Sequence, residues 1–143
     1  MSMTIGGFDV ILKVPRQRFD MRRVLEVVFA AWPEAIVEDD SDGKVFRLRD
    51  VLTTDPSWHS KEFFIYHDQA SADIWTEEGY TEENRGRMLH LLTVDRSPEE
   101  VELTLVVDDV SPQTSALVDN IARALSVENG TLKAAKEAYR RGS

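Results

Sequence analysis

The apolar residues of this chain change period in a fixed order, and that order limits the folds it can adopt. In "FDVILKV", Phe8, Val10, Leu12 and Val14 occupy alternate positions, the two-residue period of a strand with one buried face. After Pro15 the spacing changes to Met21, Val24, Leu25, Val28 and Trp32, which form one stripe of an amphipathic helix. Asp20 is placed to cap that helix, Phe19 and Val24 stand at staple spacing, and Pro33 ends it. "AIVEDDSDGKVFRLRD" then predicts two strands around Asp42-Gly43, since these residues tolerate the positive φ of a tight hairpin.

The same order recurs after a linker, "VLTTDPSWHSK". "EFFIYH" is apolar on both alternations, as in a central strand covered on both sides. Asp68 follows where a helix N-cap belongs, with Ala70, Ile74 and Trp75 as the expected buried stripe and Gly79 as the end. Residues 87–95 and 101–109 predict two more strands joined by "RSPEE", and Ser111-Pro112 opens a final helix carrying Leu117, Val118, Ile121 and Leu125 on one side. The expected fold is α+β: an antiparallel sheet of about six strands from two βαββ halves, helices packed on one face, and an extra C-terminal helix. This duplication resembles the doubled strand–helix–strand–strand folds that bind small ligands or protein partners, without a motif that would carry a function across.

A chain of 143 residues with 42% hydrophobic residues suits one domain, here residues 1–130, able to bury roughly 70% of its unfolded surface. The absence of cysteine excludes disulfides, thiolate metal sites and thiol nucleophiles, and fits a reducing cytoplasm. "MSMTIGGFDV" has neither the basic nor the apolar region of an export signal, and no segment approaches the ~20 apolar residues of a membrane span. A net charge of −9 opposes adsorption to nucleic acid or anionic lipid. Residues 131–143 are the exception, a basic tail of net +3, helical or disordered, whose Lys133, Lys136, Arg140 and Arg141 face only Glu137 and leave −12 on the rest.

Catalytic chemistry finds no foothold. No Gly-x-Ser-x-Gly elbow occurs, and Gly6-Gly7 precedes a strand and not the helix a phosphate cradle needs. His59, His67 and His90, with Asp55 or Asp68, match no zinc spacing. A calcium loop built on Glu38, Asp40 and Asp42 fails at Arg49, which stands where a bidentate glutamate is required. The many adjacent acids read as solvated surface. No catalytic residue, metal or cofactor is assigned, and His67-Asp68 reads as a strand end followed by a helix cap.

What remains points to binding. Trp58 and His59 lie in a segment rich in turn residues, and Tyr80 lies among Glu77, Glu78, Glu82 and Glu83. Aromatic anchors beside dense acid suit a basic protein partner, because complementary charge speeds encounter and buried rings hold the complex. Bacterial immunity proteins, which neutralise cationic toxins, share this size and charge as a category. The alternative is a small-molecule or enzyme pocket between sheet and helices, lined by Trp32, Phe64, Tyr66, Trp75 and His90. Homodimerisation through an outer sheet face of Ile11, Phe64, Leu89 and Val106 is compatible with either.

Overall fold

A computed structural model describes residues 8–40, 43–54, 61–79, 81–107 and 112–127. Ten elements follow in order: β1 (Phe8–Pro15), α1 (Met21–Ala31), β2 (Ile36–Asp39), β3 (Val45–Arg47), α2 (Leu48–Thr54), β4 (Glu62–Tyr66), α3 (Gln69–Glu78), β5 (Met88–Ser97), β6 (Glu100–Val107) and α4 (Pro112–Ala124). The six strands form one sheet in the order β1-β6-β5-β4-β2-β3, and every neighbouring pair is antiparallel. The α+β class with two strand–helix–strand–strand passes is therefore present. The passes are not separate units, however, because β1 leaves its own half and pairs with β6 of the other.

Alternation sorts the strands into two faces. Val10, Leu12 and Val14 of β1, Leu103 and Leu105 of β6, Leu89 and Leu91 of β5, and Phe63 and Ile65 of β4 point inward, all under 5% exposed. Onto them pack Val24, Leu25 and Val28 of α1, Leu48 and Val51 of α2, and Leu117, Val118 and Ile121 of α4. Each fully buried Leu or Phe contributes roughly 1.5–3 kcal/mol by leaving water, so this single cluster dominates stability. Asp20 caps α1 as its position predicts, accepting from the Arg22 amide at 3.0 Å.

Two features depart from the sequence reading. Residues 48–54, expected as the end of a strand and a linker, form α2, because Leu48, Val51 and Leu52 have helical spacing and the core takes all three. β3 consequently stops after three exposed residues. The expectation of helices on one face holds for α1, α2 and α4, whereas α3 lies on the other. Its Ala72 and Trp75 join Ile36, Tyr66, Phe64 and Met88 in a second, smaller cluster. The doubly apolar β4 required a cover on that side, and α3, entering directly after β4, supplies it. Its buried stripe is Ser71 and Ala72 with Trp75 half-buried, and Ala70 is exposed.

The β5–β6 turn is tight, with Pro98 and Glu99 between the strands. Arg16, just past β1, binds across it: Nε and Nη2 donate to the Pro98 and Ser97 carbonyls at 2.9 and 2.8 Å, and Nη1 pairs with Asp95 at 3.1 Å. Asp95 also accepts from Lys61 at 2.9 Å, and these two cations hold its carboxyl below the usual carboxylate range. No described helix is long and apolar enough to cross a membrane. Trp58, His59 and Tyr80, with Asp42, Asp55, Ser111 and the basic tail, lie outside the described residues.

Candidate functional site

Among the described residues the outer sheet face is only partly covered. Register places Asp9, Val106, His90, Phe64 and Glu38 in one row across five strands, and Ile11, Thr104, Leu92 and Glu62 in the next. α3 covers the β2–β4 end, and the β1–β6–β5 end carries Ile11 and Val94, each 37% exposed, with Leu92, Thr104 and Val106 half-buried. Ile11, Phe64 and Val106 share this face as expected. Leu89 does not: it points into the core, since the strand alternation sends His90 outward in its place.

Within this face His90 stacks on Phe64, and its Nε2 lies 2.8 Å from a Glu62 carboxylate oxygen. A carboxylate only accepts, so Nε2 is the protonated, donating nitrogen in this contact. Tyr66 donates to Glu38 at 3.2 Å, and burial, followed by the Glu38 charge and hydrogen bond, pushes its phenol well above the ordinary value. Trp75 packs beside these rings. Four of the five expected pocket residues thus meet, as a layer between α3 and the sheet. Trp32 is elsewhere, packed on the inner cluster with its ring 5.5 Å from His67. His67 and His90 therefore belong to opposite sides of the sheet, and among the described residues no group of three His, Asp or Glu side chains is arranged to hold a metal.

His67-Asp68 does what its position predicts. Asp68 Oδ1 accepts the Ser71 amide at 2.8 Å, while Oδ2 meets His67 Nδ1 at 3.2 Å. Burial pushes the Asp68 carboxyl up, but the Ser71 and His67 hydrogen bonds outweigh it and hold the pKa below its ordinary value.

A cleft of about 400 Å³ opens beside this cap. It is lined by Pro33, Glu34, Ala35, Ile36, Arg47, Arg49 and the first residues of α3, Asp68 to Ala70, and by none of the five expected rings. Arg47 and Arg49 are exposed, and their guanidinium groups have no hydrogen bond or ion pair among the described residues. Sequence reasoning missed both, because "VFRLRD" read as the second strand of a hairpin and Arg49 entered only as the residue that breaks a calcium loop.

A buried asparagine holds the acidic segment from within. Asn84 is 2% exposed; its Oδ1 accepts the Thr81 amide at 2.9 Å and its Nδ2 donates to the Gly79 carbonyl at 3.0 Å. Gly79 itself has φ 71° and ψ −144°, a conformation essentially restricted to glycine. The loop so fixed presents Glu82 and Glu83, and the last turn of α3 presents Glu77 and Glu78, all exposed. Arg85 pairs with Glu82 at 3.5 Å. Nothing in the composition distinguishes Asn84 as the buried pin of this loop.

No protein-family model, curated protein or solved structure matches this chain.

Proposed function

We propose that the chain is a non-catalytic binding module whose acidic α3 edge, with the adjoining outer sheet face, takes a protein partner of basic surface. One observation carries the reading: Glu77 and Glu78 occupy the last turn of α3, which has no basic residue. A helix C-terminus is the negative end of the dipole, so carboxylates there cost about 0.3–1 kcal/mol each. Folding alone would favour lysine. Carboxylates kept at a destabilising position, beside a loop already ordered by Asn84, suit a cation that arrives from outside. A pre-ordered surface loses less entropy on binding, and the half-exposed aromatic layer nearby offers area. Trp58, His59 and Tyr80 belong to the same proposal as anchors. His90 has a carboxylate partner and a stacked ring but no further hydrogen bond among the described residues, which supports a packing role over that of a general base.

Affinity capture from the source cell, with wild type and a Glu77→Lys/Glu78→Lys/Glu83→Lys variant, tests the reading. A basic protein held by wild type should be lost with the variant and released by salt, because screening weakens exposed charges. The variant should also be more stable by about 1 kcal/mol, since it relieves the helix terminus. Capture of the same proteins by both chains would reject the proposal.

A second reading has its own support. The cleft sets the guanidinium groups of Arg47 and Arg49, which have no partner among the described residues, alongside the carboxylates of Glu34 and Asp68, which suits a small polar ligand whose anionic group meets the arginines. Thermal shifts over a panel of phosphorylated and carboxylated metabolites, lost in Arg47→Ala/Arg49→Ala, would favour it.

A further inference from the structure

β1 is an edge strand. β6 pairs with one side of it, and among the described residues no strand lies along the other. Eight residues of extended chain therefore present backbone amides and carbonyls from alternate residues to whatever approaches. Edges of this length are commonly guarded by charged side chains, proline or a bulge, and β1 has Pro15 only at its last position. Here the outward-facing set is Asp9, Ile11 and Lys13, one acid and one base placed symmetrically about an isoleucine.

That symmetry can be read as a docking code. A two-fold axis perpendicular to a sheet returns every residue to the same face, so opposed residues must have the same parity. Antiparallel pairing of two copies of β1 can then centre only on a residue, and Val10, Ile11 and Leu12 are the central choices. Centring on Val10 sets Asp9 against Ile11 of the partner subunit, and centring on Leu12 sets Lys13 there. Only the Ile11 centre gives each charge its opposite, with Asp9 facing the partner subunit's Lys13 and Lys13 facing the partner subunit's Asp9. The same register puts Ile11 against its own copy and Val10 against Leu12 of the partner subunit.

The side chains are free to do this. Asp9 and Lys13 are exposed and make no hydrogen bond or ion pair among the described residues. Glu102, which faces Lys13 across β6, feels the Lys13 charge but is held by Arg96 through two hydrogen bonds of 3.0 Å, so no direct ion pair ties up the ammonium among the described residues. Ile11, at 37% exposure, is one of the few large apolar side chains left to water.

We propose that two copies of this chain associate edge to edge, β1 pairing antiparallel with β1 about a two-fold axis at Ile11, so that two six-stranded sheets become one. The surface differs from the acidic α3 edge and leaves that edge open for another partner.

Analytical ultracentrifugation over a concentration series tests the proposal with charge swaps. Wild type should dimerise; Asp9→Lys alone and Lys13→Asp alone should each weaken the dimer at least tenfold by setting like charges opposite, and the double swap should restore it. Ile11→Cys in this cysteine-free chain should close a disulfide dimer on mild oxidation, much faster than Gln17→Cys, because opposed residues in an antiparallel pair lie within disulfide reach. A wild type that stays monomeric at its solubility limit overturns the proposal. So does a dimer indifferent to the single swaps, which would place the contact elsewhere, or equal cross-linking of the two cysteine variants.

Discussion

The imidazole of His90 lies flat on the ring of Phe64, with 4.3 Å between centroids and 10° between planes. The two residues face each other across β4 and β5, so the stack is a cross-strand pair set by register. Glu62 then holds the outer edge of the imidazole. Phe64→Ala should destabilise the fold by about 2 kcal/mol in urea titrations, below the roughly 3–5 kcal/mol of a fully buried phenylalanine, because Phe64 is only half-buried. Phe63→Ala, one residue away on the core face, should reach that larger range. Equal losses at the two positions would contradict the assignment of faces.

Asp68 links stability to acidity. Its folded pKa is depressed, so its contribution is complete above the unfolded value of about 3.9 and is lost as pH falls through the folded one. Asp68→Ala should cost about 1 kcal/mol at neutral pH through loss of the cap. Asp68→Asn keeps a capping oxygen but not the charge, so its deficit relative to wild type should shrink as the solution is acidified. Denaturant midpoints from neutral pH down to acid check this; a constant gap would show that the charge contributes nothing.

Leu48 is fully buried although its helix was invisible to strand periodicity. Leu48→Ala should cost about 2–5 kcal/mol, as for any core leucine whose site cannot collapse. A loss of only a few tenths, read by thermal or chemical unfolding, would return residues 48–54 to the role of a connector.

Asn84→Ala removes one acceptor and one donor from a buried position, leaving the Thr81 amide and the Gly79 carbonyl to find new partners. A cost of about 1–3 kcal/mol is expected. Hydrogen exchange at Thr81 should accelerate more than exchange in β5, because the damage is local.

The legible parts of the fold are those with a long period and a distinct cap. β1, α1 and α4 each carry a stripe that points to one place, and Asp20 and Asp68 both cap the helices their positions announce. α2 was hidden because Leu48, Val51 and Leu52 begin inside "VFRLRD", whose two-residue alternation mimics a strand until the helical spacing has run a full turn. The side taken by α3 was hidden for another reason: β4 is apolar on both alternations, and only the strand order shows which side remains to be covered. At the site, the alternation of β4 sets Phe64 and Tyr66 on one face, whereas the arrival of Trp75 and His90 beside them depends on the side taken by α3 and on the register of β5. The cleft arginines could not be anticipated, because two residues that alternate on a strand and two that straddle a strand–helix junction look alike in sequence.

The pairing of the first strand with the last has a consequence for synthesis. The residues opposite β1 lie between 85 positions away, from Pro15 to Glu100, and 99 positions away, from Phe8 to Val107. At ordinary translation speeds of about 5–20 residues per second, the N-terminal segment waits roughly 5–20 s before its neighbour has even been made. Val10, Leu12 and Val14 spend that interval without their strand partner, with α1 the first native neighbour to be made, so the pairing that completes this sheet waits on the synthesis of β6.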